Sequence, residues 1–237
     1  MLTIEYLIES LEEMGEILRL GRFIEDDSPF RNARTQLGRN PKKYVIPYVN
    51  FKVARGNYVR GGVWDKDLEI KMQAEIEVNN TFSFNDASRM IVNIEYSCLT
   101  TDGEKECKGC WHMDYHVQEG KPEYMHPDFH FHHGGRNISD LDDYGSLVIL
   151  DNPRIMHHPL DVFLAIDFII SNFYPEIEWR KIRADTRYTK IVKMAQLAWW
   201  KPFYTNLYKY WEHCDAKDSI LSKQEVVKAQ RLNPHFI

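Results

Sequence analysis

The stretch that decides the fold is Leu68-Glu69-Ile70-Lys71-Met72-Gln73-Ala74-Glu75-Ile76-Glu77-Val78. Every even position is apolar and every odd one is polar or charged. That period of two describes a strand with one face on a core and the other in water. Downstream, Arg89 to Cys98 repeats it, with Met90, Val92, Ile94, Tyr96 and Cys98 against Asn93, Glu95 and Ser97. Upstream, Tyr44 to Val53 and Tyr58 to Trp64 read as two further strands around a turn at Ala54-Arg55-Gly56-Asn57. Consecutive strands joined by short turns make an antiparallel meander. The expected class is α+β: a meander of about five to seven strands, an N-terminal helix, and a C-terminal helical layer over the apolar face.

Outside the strands the period changes. Leu2, Ile4, Leu7, Ile8, Leu11, Met14, Ile17 and Leu18 recur at helical spacing within residues 1–20, with glutamates on the other side. Residues 21–42 are polar and turn-rich, and read as a connector whose Arg22, Arg31, Arg34 and Arg39 solvate a loop. Beyond the sheet region, 43–150, Ser146 to Leu150 reads as a short strand. Leu160 to Tyr174 is apolar nearly all round, a buried helix opened by Pro159 with Asp161 in its first turn. Asp167 inside it either anchors an arginine or a backbone amide, or serves the site, since a buried acid needs a partner. Residues 151–237 then form the helical layer, through Glu178 to Trp200, Pro202 to His213 and a short polar helix. The chain is read as one domain of 237 residues.

Composition narrows the function classes. Hydrophobic content of 43% with 27% charged residues is that of a globular protein, and a net charge of -5 excludes the chain as a whole from binding nucleic acid by bulk electrostatics. No apolar run reaches membrane-spanning length, so no membrane partner is expected. The acidic N-terminus lacks the basic residues of a signal peptide, which points to the cytoplasm. Four cysteines make no disulfide scaffold. Cys107-Lys-Gly-Cys110 has zinc-knuckle spacing without a second pair; Cys98, His112 or Cys214 would have to complete a four-ligand site.

The chemistry is concentrated in Cys110 to Arg136, CWHMDYHVQEGKPEYMHPDFHFHHGGR, which holds six of the ten histidines. At strand period His112, Asp114 and His116 share one face, as do Asp128, His130 and His132. A hairpin turning within Glu119 to Met125 aligns both apolar faces and sets His112 opposite His132, Asp114 opposite His130, and His116 opposite Asp128. Directly opposite residues stand about 5 Å apart at Cβ. One face then carries four imidazoles and two carboxylates, with Glu95 a further candidate from the neighbouring strand.

Two chemistries use such a face. In the first, a divalent metal (zinc, manganese or iron) takes ligands from His112, His116, His130, His132, Asp114 and Asp128, leaving one position for water. In the second, one histidine is base and another acid, an aspartate orients an imidazole, and Arg136 or Lys71 offsets developing negative charge. Both lead to a hydrolase acting on phosphodiester bonds, a nuclease or nucleotide phosphodiesterase. Its candidate catalytic residues are His112, Asp114, His116, His130, His132 and Arg136, and its substrate a nucleic acid or nucleotide. The run Asp128-Phe-His130-Phe-His132-His133 is similar in spacing to the His-x-His-x-His strand of histidine-triad nucleotide hydrolases. Aspartate holds the first place here and a glycine pair arrives one residue early, so no nucleophile is carried over from that family. The alternative is a non-catalytic ligand-binding or complex subunit, whose C-terminal aromatics, among them Trp199, Tyr204, Tyr208 and Trp211, dock a protein partner.

Overall fold

A computed structural model describes residues 3–54, 67–99, 104, 106–115, 125–133, 155–215 and 223–235. The expected strands at Tyr58 to Trp64 and Ser146 to Leu150 lie outside these residues. Six strands form one sheet in sequence order: β1 (Lys43–Val53), β2 (Leu68–Val78), β3 (Ala87–Leu99), β4 (Glu106–Tyr115), β5 (Phe129–His133) and β6 (Ile155–Met156). All neighbours are antiparallel, which is the expected meander. In β2 the six even residues, Leu68 to Val78, are all buried, each worth about 1–3 kcal/mol for its side chain.

β1 shows how a proline is accommodated. Its register with β2 shifts between Ile46 and Val49, across Pro47. Pro47 has no N–H for a ladder, and an edge strand with a bulge tolerates that. The shift also changes parity: Tyr44 and Ile46 point inward before it, and Val49, Phe51 and Val53 after it.

Helices cover the apolar side. α1 (Ile4–Leu20) is capped by the Thr3 hydroxyl, which accepts from the Tyr6 N–H at 3.2 Å. The expected connector at 21–42 is in fact largely helical: α2 (Ser28–Arg39) buries Phe30, Ala33 and Leu37. Pro29 suits its first turn, where the N–H it lacks would have had no intrahelical acceptor. Gly15 lets α2 approach α1, because a Cβ there would sit 3.1 Å from the Phe30 ring. Two of the four connector arginines are paired with acids, Arg31 with Asp27 and Arg34 with Glu12 at 2.6 Å.

α3 (Val162–Phe173) begins two residues later than expected, with Asp161 as N-cap accepting from the Leu164 N–H at 3.0 Å. Asp167 anchors an arginine: Arg183 Nε and Nη2 lie 3.0 and 2.7 Å from its two oxygens, and the Tyr188 hydroxyl donates at 3.0 Å. α4 (Glu176–Arg183) follows. α5 (Thr186–Asp215) is one 30-residue helix, not two. Pro202 removes one intrahelical hydrogen bond, but burial of Trp199 and Phe203 on either side holds the helix together. α6 (Lys223–Leu232) packs back on α5. No helix among the described residues is long and apolar enough to cross a membrane.

Candidate functional site

The site lies on the polar face of β4 and β5. Their register is the one expected: His112 opposite His132 and Asp114 opposite His130. Met113, Phe129 and Phe131 fill the other face, and that apolar alternation fixes the register. A one-residue slip would drive the imidazoles into the core.

Asp114 is the centre of the cluster. Its Oδ1 is 2.8 Å from His130 Nε2 and its Oδ2 is 3.4 Å from His112 Nε2. Each ring is held from its far side too. His130 Nδ1 donates to the Pro127 carbonyl at 3.2 Å. His112 Nδ1 bonds Asn93 Oδ1, and Asn93 Nδ2 donates to Gln73 Oε1 at 3.1 Å. A row Gln73–Asn93–His112–His132 therefore crosses four strands. Because the Asn93 amide donates to Gln73, its oxygen accepts from His112 Nδ1–H, and Nε2, turned to the carboxylate, donates to it when the ring carries its second proton. Burial works against an ionised Asp114. The hydrogen bonds from His112 and His130 outweigh it and hold the carboxyl well below the usual carboxylate range.

Exposure separates the roles. The His130 side chain is 2% exposed, against 22% for His112 and 25% for Asp114. The His130 ring is thus shut in behind Asp114, while His112 and His132 are half-buried. The His132 ring is 4.8 Å from that of His112 and 5.7 Å from that of His130. His126, absent from the sequence-based set, stands against His130 with centroids 4.5 Å apart. It precedes the strand, so periodicity gave no reason to place it there.

Several expected members stand elsewhere. Asp128 was expected among the histidines, but it turns to the helical layer. Arg231 of α6 holds it through Nη2 at 3.1 Å from Oδ2 and Nε at 3.3 Å from Oδ1, and the Asp128 N–H donates to the Arg231 carbonyl. β5 starts only at Phe129, so strand alternation does not reach position 128. Glu95 sits opposite Cys110, one step beyond His112, and Ile91 flanks Asp114 instead. In an antiparallel pair, β3 runs away from Asp114 as it reaches Glu95. His116 and Arg136 lie outside the described residues.

Among the described residues the ligand arrangement expected for a metal is not assembled: no group of three or more His, Cys, Asp or Glu is arranged to hold an ion. The reason is visible in the bonding: Asp114 lies between the two imidazoles and faces both Nε2 atoms, and Asp128 is taken by Arg231. Nor is there a knuckle turn at Cys107 to Cys110, since both positions fall within β4. Cys98, Cys110 and Cys214 form no disulfide.

The helical side carries other histidines in a different setting. Phe131 stacks on His157 at 4.8 Å, and His157 contacts His158 at 4.1 Å. Burial, with the charge of His157, pushes His158 down to about 4, so it packs as a neutral ring beside Trp200 and Tyr204. Of the C-terminal aromatics, Trp199, Phe203 and Tyr210 belong to the core, whereas Tyr204, Tyr208 and Trp211 are exposed. No protein-family model, curated protein or solved structure matches the chain.

Proposed function

We propose that the protein is a hydrolase of phosphodiester bonds, with a nucleic acid or nucleotide as substrate and its site on the polar face of β4 and β5. The observation that carries this reading is the Asp114 carboxylate shared by two imidazoles, each fixed at its far nitrogen. Protons reach and leave a reacting group through a base and an acid held in place. His132 takes a proton from the attacking water as its oxygen bonds to phosphorus. His112, carrying a proton on Nε2 opposite Asp114, gives that proton to the leaving oxygen as its bond to phosphorus breaks. Asp114 orients His112 and stabilises its charged form, and His130 orients Asp114. The route needs no metal.

The test is cleavage of bis-(p-nitrophenyl) phosphate, cyclic nucleotides and single-stranded oligonucleotides between pH 5 and 9, with and without chelator. His132→Ala and Asp114→Asn should each lower turnover by about 100-fold or more while remaining folded. Chelator should leave wild-type turnover unchanged.

A second reading is favoured by one observation: Leu197, Tyr204, Tyr208 and Trp211 are all exposed on α5 at spacings of seven, four and three. Such a stripe lies along one side of a helix. It suits a subunit that docks a protein partner through α5, with no chemistry of its own. Full phosphodiesterase activity in a Tyr208→Ala/Trp211→Ala double variant separates the two.

A further inference from the structure

The helical layer holds a second site of distinct chemistry, away from the histidine face. Where α6 lies on α5 beside the 3-10 turn Phe84–Asp86, a cleft of about 710 Å³ opens. That size is within the range of small-molecule pockets. The α5 wall changes character along its length. Met194, Leu197, Ala198 and Pro202 make an apolar end, at helical spacing on one face. Lys209 and, from α6, Lys228 stand at the other, while Lys201 lies beside Pro202.

The charges there are unequally matched. Lys209 pairs with Glu225, and Arg231, just beyond the cleft, pairs with Asp128. The cleft's other acid, Asp86, is held by the Thr81 hydroxyl and accepts from the Thr81 N–H at 3.2 Å. Lys228 has no carboxylate within 4 Å among the described residues. Its ammonium lies 3.4 Å from Asn85 Oδ1 and 5.4 Å from the centre of the Phe84 ring. Burial, then the neighbouring charges of Lys209 and Arg231, pushes its pKa down, against the smaller opposing pull of Asp128 and Glu225. Lys228 is solvent-exposed at the cleft mouth, and a cation set beside other cations is stabilised by an anion. Lys228, Lys209 and the Asn85 amide nitrogen together offer charge-assisted donors to one multi-oxygen group.

We propose that this cleft binds a phosphomonoester with an apolar or aromatic body. Its phosphate sits among Lys228, Lys209 and Asn85, and its body lies along Met194, Leu197 and Pro202. A phosphate supplies enough oxygens for all three donors, and the flat apolar wall accepts a ring such as a nucleobase. The site stands independently of the hydrolytic reading, because its lining comes from α5, α6 and residues 81–86 and includes no residue of β4 or β5.

The probe is adenosine 5′-monophosphate, titrated into the full-length protein by calorimetry, with adenosine as the uncharged control. Saturable binding is expected for the nucleotide and at least about tenfold weaker binding for adenosine. Lys228→Gln should weaken nucleotide binding at least about tenfold without moving the melting temperature. Asn85→Asp, at an exposed position, should weaken it by adding a negative charge. His132→Ala should leave it unchanged. The proposal is overturned by absence of saturable binding at millimolar nucleotide, by wild-type affinity in both cleft variants, or by loss of binding in His132→Ala instead.

Discussion

Asp114 and Asp167 are both sheltered aspartates, and the molecule satisfies them in opposite ways. Asp167, in the helical layer, is clamped by Arg183 and a tyrosine hydroxyl. Arginine keeps its charge at any ordinary pH, so that pair is permanent. Asp114, on the polar face of the sheet, is held by two imidazoles, a class of group that gains and loses its proton near neutrality. Asp128 follows the first pattern with Arg231. The helical side thus uses arginine to lock carboxylates, whereas the polar face surrounds one with groups able to move protons. A structural pair is best served by the first arrangement and acid-base chemistry by the second.

Asp161 gives the largest test of how the helical layer treats a carboxylate without an arginine. Burial pushes its carboxyl up to about 7. Between roughly pH 4 and 7 the unfolded chain has lost this proton while the native state keeps it, so stability falls as pH rises, by about 4 kcal/mol at most. Asp161→Asn keeps a capping side chain and removes the charge. Its stability, from urea unfolding at several pH values, should lack this decline; an identical slope in both proteins would break the contrast. Next in size is Asp167→Ala, expected to cost about 2–3 kcal/mol in the same assay. That is below the usual range for a broken buried pair, because Arg183 is 42% exposed and can turn to water. A loss under about 1 kcal/mol would show that the clamp is not structural.

For the polar face the expected effect on stability is smaller and runs the other way with pH. The depressed Asp114 carboxyl contributes stability that is present above its unfolded value near 4 and is lost as pH falls through the lower folded value. Asp114→Asn should cost about 1–2 kcal/mol at pH 7, with the gap to wild type closing in acid. A gap that stays constant to pH 2 would mean that the imidazoles do not support the ionised form. The smallest effect is expected at Lys71, on the exposed side of β2, where Lys71→Gln should change stability by less than about 0.5 kcal/mol.

The contrast between regions also explains what the sequence could tell. The strands and the His112–His132 register were legible because β2 alternates strictly, β3 and β4 do so apart from Ile91 and Cys110, and only one register buries Met113 with Phe129 and Phe131. Asp128 was misplaced because its partner Arg231 is 103 residues away and no local pattern links them. α2 was read as a connector because Ser28, Pro29, Gly38 and Asn40 resemble turn residues. Its inward face is only Phe30, Ala33 and Leu37, too sparse to stand out before the packing against α1 and β1 is known. Pro202 suggested a helix end, and burial of its neighbours overrode it. His126 escaped notice because it lies before β5, where no strand period applies.

The central claim is that Asp114 and its histidines move protons in phosphodiester cleavage. It is tested most directly by the pH–rate profile of the wild-type protein beside His132→Ala on one cleavable phosphodiester, with folding of both checked by their melting curves. The account predicts a bell-shaped profile for the wild type and a variant slower by about 100-fold that has lost the acidic limb set by the base. Equal rates in the two folded proteins, or no cleavage by the wild type across the range, would contradict it.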